Sequence, residues 1–457
     1  MTMLWTATEI AEATGGSVHG DFTVGGVTFD SREVQPGDLF VAMPGTVHDG
    51  HKFVAAAFQQ GAHGVLVSEE VDGPHVRVDD VAAALDAMAR TARARLSDDA
   101  VVIGVTGSVG KTSTKEAMHC ALERSARGRT HCSVKSYNNH TGVPLSLARM
   151  PRDSRYAVLE MGMNHAGEIS QLTRLVRPHI AVITAIAPAH IENLGTIEAI
   201  ADAKAEIFDG LEEGGTAIVP EDSPQRDQLL KAAKGKAQTV LTFGSREADA
   251  ALVHAVDARS GGSLVTARLR EREVTYTIAQ RGGHWVTNSL AVMAAVEAAG
   301  GDVAQAGLAL ADMEGLKGRG ERHVIDVDGG EALLIDESYN ANSASMVATL
   351  QALAKEDGRK VAVLGAMKEL GAESARLHAD LAGPIRDAGV EQLVLVGNEM
   401  APLEAALAGA IPLARVESAA KATDAAKAII RPGDAILVKA SNSVGLAKLV
   451  DALAGGR

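Results

Sequence analysis

Lys111 and Thr112 directly follow the run Gly107, Ser108, Val109, Gly110, and an apolar stretch, Val101–Thr106, leads into it. A strand, a glycine turn and a Lys-Thr pair opening a helix make a phosphate cradle. Glycines let the backbone wrap the anion, the free N–H groups and helix dipole favour its charge, and the lysine reaches the terminal phosphates. Thr112 offers its hydroxyl to Mg²⁺, with Ser113 beside it. A full P-loop carries glycine at position 105, where this chain has Val105, so the match is to the shorter GxxGK[ST] form. The bland alternative is a glycine turn followed by a solvated lysine.

A second metal ligand belongs at the carboxyl end of a neighbouring strand, because open α/β sheets gather their ligands there. Glu160 ends the run Tyr156–Leu159 as a lone carboxylate, and His190 follows the next strand. Singly, such a glutamate can cap a helix or pair with a cation, and a lone histidine is more often structural than a ligand. Their shared position at one rim is what singles them out.

Strands and helices must position these groups. Val101–Thr106, Tyr156–Leu159, His179–Thr184 and Thr216–Val219 are continuous apolar runs separated by helical stretches, the pattern of a parallel sheet covered on both faces. The segment Ala250–Ala279 instead alternates, as in Val274–Ile278, which predicts antiparallel strands at an edge of the same domain, before a helix around Asn288–Ala299. Upstream, Gly26–Phe29, Asp38–Ala42 and the helical run Val81–Leu96 form a first unit ending at the polar Ser97–Asp99. Downstream, the Gly-rich Gly315–Gly320 leads to a second strand-helix series at Ala332–Ile335, Lys360–Leu364, Gln392–Val396 and Ala435–Val438. The expected architecture is α/β in three domains: an N-terminal α/β unit at 1–98, a central P-loop parallel-sheet domain at 99–319 and a Rossmann-like domain at 320–457.

A chain of 457 residues accommodates such a plan. Its 46% hydrophobic and 22% charged content excludes a largely disordered or fibrous protein. The net charge of −14 argues against nucleic acid or an anionic membrane surface as partner, and 3% aromatics against a base-stacking platform. Cys120 and Cys132 lack zinc-site spacing and are expected as reduced thiols in a cytoplasm. No export signal is expected at Met1–Gly16, and the apolar runs, about ten residues at most, are too short to cross a bilayer.

In order and spacing, these segments resemble the Mur ligases, ATP-dependent amide-forming enzymes of peptidoglycan synthesis. The resemblance runs through Asp30–Phe40, the P-loop, Asn138–Leu145, Glu160–Ile169, Ala203–Phe208, Asp336–Asn342 and Val363–Gly371, and so covers essentially the whole chain. Asp336–Asn342 and Glu369–Gly371 favour the D-alanyl-D-alanine-adding type over the diamino-acid-adding sister, whose Asp-Asn-Pro-Arg motif is missing from the sequence. The resemblance implies joining of D-Ala-D-Ala to the peptide carboxylate of UDP-N-acetylmuramoyl-tripeptide, through an acyl phosphate and a tetrahedral intermediate. It implies ATP and Mg²⁺, two ions, and a monomer working in the bacterial cytoplasm without inserting into a membrane.

By the same resemblance, Thr112 and Glu160 hold the ATP-bound Mg²⁺ and His190 the second ion. Lys204 matches a lysine carbamylated in several members, although by type it is a solvated helix lysine. Asn288 and Asp336 would contact adenine and ribose. Arg319 would approach the γ-phosphate as the domains close, with Arg322 a neighbour that could be mistaken for it. Tyr339, Asn340 and Asn342 would line the cleft, Asn340 being equally natural as a helix cap. In the first domain Ser31, Arg32, Asp49 and His51 would anchor the UDP end, Arg32 otherwise being a surface ion pair. Asn138, Asn139 and Thr141 would face the sugar-peptide portion, and Glu369 and His378 would border the acceptor.

The chain departs from the family pattern at Ala366, where Asp is expected, at Trp285, where Asn is common, and at Lys439–Asn442, which lacks the usual arginine. Rival readings are the diamino-acid-adding ligase, a folylpolyglutamate-synthase-like ligase, and a nucleotide-binding switch or scaffold. A switch would carry a guanine-reading Asn-Lys-x-Asp, which the sequence lacks; a silent scaffold should have lost Lys111 or Glu160, and both remain.

Overall fold

Nine strands make the central sheet of the computed structural model, which describes residues 3–45, 49–188, 191–258 and 261–455. Across the sheet they run Arg272–Ile278, Ser263–Leu269, Ala250–Asp257, Thr239–Gly244, Thr216–Pro220, Ile180–Ile183, Val101–Thr106, Tyr156–Glu160, Thr130–Cys132. The strand before the P-loop pairs in parallel with Tyr156–Glu160 on one side and Ile180–Ile183 on the other. The chain therefore leaves it toward opposite sides, and ligands gather at the carboxyl ends on either side of such a reversal. The expected antiparallel edge is present: Ala250–Asp257 pairs in parallel with Thr239–Gly244 and antiparallel with Ser263–Leu269.

Burial on both faces explains the unbroken apolar run of the P-loop strand. Ile103 and Val105 enter the core under helices Lys111–Ala126 and Gly283–Ala298, whereas Val102 enters the opposite core with Glu168–Val176 and Ile197–Ala205. The C-terminal sheet has six strands in the order Glu321–Val327, Gly330–Glu337, Ala435–Lys439, Lys360–Gly365, Val390–Val396, Leu413–Val416, parallel except for the first pair. Glu321–Val327 was not apparent in the sequence because it is an outer strand with only Ile325 buried. Thr130–Cys132 was missed because three residues give no readable period.

The first sheet runs Ser17–His19, His75–Arg77, Gly64–Val67, Asp38–Val41, Gly26–Thr28, again with only its first pair antiparallel. Helix Val81–Ala94 serves two cores, Leu85, Met88 and Ala92 facing this sheet's core and Ala89 the central one. Arg93 on the same helix donates to the carbonyls of Val176 and Arg177 at 2.9 and 2.7 Å. In return, Leu145 and Ala148 of helix Gly142–Ala148 complete the first unit's core, and the Trp5 indole donates to the Ala148 carbonyl at 2.8 Å.

Candidate active site

A cavity of about 500 Å³ opens where the carboxyl ends of the central strands face the C-terminal sheet. Its floor is the phosphate turn. Gly107 and Gly110 have φ of 151° and 81°, and a Cβ on Gly107 would stand 2.0 Å from the Thr184 hydroxyl, so the turn closes this tightly only with glycine. Lys111 opens the helix and folds back to donate to the Gly107 carbonyl at 2.8 Å. Burial pushes its ammonium below the ordinary lysine range, against the opposing pull of Glu160.

The two strand-end ligands converge. Thr112 Oγ1 donates to Glu160 Oε2 at 2.7 Å, while Asn138 Nδ2 donates to Glu160 Oε1 at 2.6 Å. Glu160 is buried, and its own amide donates to Ser133 Oγ at 2.9 Å. Among the described residues neither a helix cap nor an ion pair explains it. Ser136 Oγ lies 3.0 Å from Thr112 Oγ1 and accepts from Arg319 Nη2 at 3.2 Å, so a side chain from the Gly-rich connector reaches the metal-type cluster. The Arg319 guanidinium sits 4.2 Å from the Tyr339 ring centroid, a cation–π contact that holds it over the cavity. Arg322 is engaged elsewhere, pairing with Glu356.

Ser108, Val109, Gly110, Lys111, Thr112, Ser113, Asn138, Glu160, Asn288, Arg319, Tyr339, Asn340 and Asn342 all line this one cavity. Asn342 caps helix Ser343–Ala354 by accepting from the Ser345 amide at 2.9 Å, so the cap is Asn342 rather than Asn340. Lys204 lies outside the lining. It is 1% exposed, so the solvated-lysine reading does not hold. Burial, and secondarily the charge of Lys111, drives its amine well below the ordinary lysine value. His190 lies outside the described residues.

Several expected contacts are placed differently. Asp336 does not line the cavity: buried, it accepts from the amides of Gly318 and Ser338, each at 2.9 Å, and so clamps the connector to the strand end. Asn138 holds Glu160 rather than facing a sugar, and Asn139 accepts from the Thr141 and Gly142 amides, bracing the start of helix Gly142–Ala148. His378 is fully buried; its Nε2 accepts from the Met367 amide at 2.9 Å and its Nδ1 lies 2.7 Å from the Ser374 carbonyl, a structural clasp rather than an acceptor contact. Glu369 stands outside the cavity lining, and its charge is a minor influence favouring the protonated form of Lys111.

In the first unit, Arg32 is 85% exposed and pairs with Asp30, the surface ion pair of the alternative reading. His51 Nδ1 lies 2.6 Å from Asp49 and its Nε2 accepts from the Ser68 amide at 2.9 Å, so both ring nitrogens serve the local fold. Ser31, Arg32, Asp49, His51, Asn139 and Thr141 all stand outside the nucleotide-type cavity.

The cavity also holds residues that were assigned no site role from the sequence. Lys439, ending strand Ala435–Lys439, donates to the Asn340 carbonyl at 2.9 Å and lies 3.3 Å from Glu337, which ends Gly330–Glu337. Burial lowers its pKa. The rule that picked out Glu160, a charged residue closing an apolar strand, applies equally to this pair. Ser136 has no such signal. The donors around Thr112 are hydroxyl and carboxylate oxygens, which suit a hard cation such as Mg²⁺.

Family descriptions match three consecutive segments: the Mur ligase family catalytic domain at residues 23–97, the Mur ligase middle domain at 105–296, and the Mur ligase glutamate ligase domain at 318–442. The chain is 34% identical to the UDP-N-acetylmuramoyl-tripeptide–D-alanyl-D-alanine ligase of Bacillus subtilis, over 97% of each protein. It is 32% identical to that of Rickettsia prowazekii, over 98% of this chain and 99% of the relative. Among solved structures, MurF from Acinetobacter baumannii matches with a TM-score of 0.84 at 29% identity over 99% of each chain. MurF from Thermotoga maritima in complex with ADP matches at 0.77 and 26% identity, over 94% of this chain and 97% of that one.

Proposed function

The chain belongs to the Mur ligase family, and on that premise we propose that it joins D-Ala-D-Ala to the peptide carboxylate of UDP-N-acetylmuramoyl-tripeptide while converting ATP to ADP and phosphate. The observation that carries this reading is the Thr112–Glu160–Ser136–Arg319 cluster, which brings a phosphate loop, a metal-type carboxylate and an arginine from the connector to one point. A carboxylate resists amines because oxide would have to leave. Phosphorylation by ATP makes an acyl phosphate and releases ADP; the acceptor amine then adds to the carbonyl, and the tetrahedral intermediate collapses with loss of phosphate.

This chain's residues make that sequence possible by holding anions together. The turn's N–H groups and Lys111 cradle the nucleotide phosphates. Asn288 and Asn340 stand on the wall where the nucleoside extends, and Arg319 meets the charge developing on the transferred phosphoryl group. Thr112 and Glu160 would hold Mg²⁺, whose charge offsets the repulsion between nucleotide and carboxylate. Lys204, forced toward its neutral amine, can add CO₂ and lose a proton to become a carbamate, a new carboxylate for a second ion together with His190. Ser31 and Arg32, whose pairing with Asp30 leaves the guanidinium exposed to a ligand, anchor the UDP end, beside the loop that carries Asn138.

The division 1–98, 99–319 and 320–457 follows the same reading: substrate anchor, nucleotide engine, closing domain. On this proposal the work is set in the bacterial cytoplasm, the source of ATP and nucleotide sugars, with a monomer as the working unit; that one chain lines both walls of the cavity supports this. The test is phosphate release from Mg-ATP with UDP-N-acetylmuramoyl-tripeptide, adding D-Ala-D-Ala or single amino acids, with mass analysis of the product. Release that requires D-Ala-D-Ala and yields the pentapeptide nucleotide is expected. Release supported only by a single amino acid would assign the chain to a sister ligase.

A further inference from the structure

The first sheet carries a group of side chains of metal-ligand type, none of which lines the nucleotide cavity. His19 ends the edge strand Ser17–His19, and the register sets it opposite His75, the first residue of the next strand. Glu70 stands on the turn before His75. Its Oε1 is 3.6 Å from His19 Nδ1 and 3.8 Å from His75 Nε2, and the three ligand atoms all lie within 4.8 Å of one another.

The hydrogen positions decide what these atoms want. His75 Nδ1 lies 2.9 Å from the Gly73 carbonyl, which can only accept, so Nδ1 carries the hydrogen and, in that tautomer, Nε2 presents a lone pair. That nitrogen is buried in a side chain only 2% exposed and has no hydrogen-bond partner. It faces a carboxylate oxygen, a second acceptor, so two lone pairs approach with no donor between them, an arrangement that is unfavourable without a positive charge. Arg77 Nη1 donates to the other Glu70 oxygen at 2.7 Å, which orients the carboxylate and leaves Oε1 for a ligand.

We propose that His19, Glu70 and His75 form a binding site for a divalent transition-metal ion of the zinc type, separate from the Mg²⁺ chemistry of the nucleotide cavity. Two imidazoles and a carboxylate favour zinc, cobalt, nickel or copper over magnesium. Ligands about 2.0–2.1 Å from zinc stand roughly 3.3 Å apart in a tetrahedron, so the carboxylate needs to draw in only slightly. The histidine rings are stacked, 4.4 Å apart and 5° from parallel, whereas an ion must lie near the plane of each ring. Gly73 fixes the His75 ring. His19, with 37% of its side chain exposed, is the one that turns about its Cβ–Cγ bond to close the site. Glu70, at 61%, leaves the remaining coordination position to water.

The test is titration of the full-length, tag-free protein with Co(II) in Mg²⁺ buffer, followed by visible absorption. The expected result is a saturable band at one Co(II) per chain, displaced by Zn(II) and indifferent to excess Mg²⁺. His19→Ala and Glu70→Gln, both at accessible positions that leave the sheet intact, should each weaken binding about tenfold or more. Thermal unfolding should show Zn(II) raising the Tm of the wild type and not of His19→Ala. An equal band in both variants would assign the metal to other histidines. No saturable band would reduce the cluster to an ion pair between a protonated histidine and Glu70. Either result overturns the proposal.

Discussion

Lys204 shows what folding does to a single side chain. On a helix in the sequence it reads as a solvated charge, yet it is buried with its amine driven toward the neutral form. An unfolded lysine keeps its proton up to about pH 10.5, whereas this one releases it well below that, so the unfolded chain binds more protons between the two values. The Lys204 contribution to stability must therefore rise with pH across that window and be least favourable below it. In CO₂-free buffer near neutral pH, Lys204→Met should stabilise the chain by roughly 1–3 kcal/mol in urea titrations while abolishing ligation. A destabilised Met variant would mean that the ammonium has a partner in solution. Lys111, Thr112 and Glu160 were legible beforehand because their roles depend on position along a strand-turn-helix unit. Lys204 was marked only by the family resemblance, and its burial was not legible, because burial comes from neighbours distant in sequence.

Among the elements, the segment from Ser133 to Asn138 is the least legible and one of the most connected. It has no periodicity, yet its residues look to two sides. Ser133, Ser136 and Asn138 hold Glu160 and Thr112, while Lys135 pairs with Glu33 and the Tyr137 ring lies 5.2 Å from Phe29 in the first unit. Glu33 and Phe29 flank Ser31 and Arg32, so a substrate seated there would press on the strip that positions the metal-type carboxylate. Lys135→Ala removes an exposed pair of about 0.2–1 kcal/mol, which predicts a rise of up to about fivefold in KM for the UDP substrate with the KM for ATP unchanged. Steady-state kinetics with each substrate varied would show this. Equal shifts in both constants would mean that the strip serves the nucleotide side alone. The central sheet was readable in advance because doubly buried strands are continuously apolar; this strip was not, because its meaning lies in partners more than a hundred residues apart, such as Lys135 and Glu33.

For the whole molecule, Arg319 is where the C-terminal sheet meets the nucleotide domain. Gly318 and Gly320 flank it with φ of 73° and 92°, and Asp336 fastens the Gly318 amide, so the connector is flexible in backbone yet anchored at one end. Arg319→Lys should keep the charge but lose the flat stacking on Tyr339 and the fork toward Ser136. The expectation is a fall of about 10- to 100-fold in kcat with ATP affinity little changed, measured by steady-state turnover and equilibrium titration. A matching loss in affinity would instead make Arg319 a ground-state contact. The two glycines were legible as a connector, whereas the clamping role of Asp336 was not, since a strand-end carboxylate reads as a ligand contact until its acceptors are seen.

Helix Gly142–Ala148 lends Leu145 and Ala148 to the first unit's core, and Ala148 receives the Trp5 indole across 143 positions of chain. During synthesis, residues 1–98 leave the ribosome well before that helix exists, so the first unit emerges with one side of its apolar interior still facing water. The Leu145 and Ala148 contacts can close only after the nucleotide domain has begun to emerge, and long-range closure of this kind is slow and leaves sticky intermediates. A nascent chain of this protein is thus exposed to chaperones across the very seam that later joins the substrate anchor to the catalytic machinery.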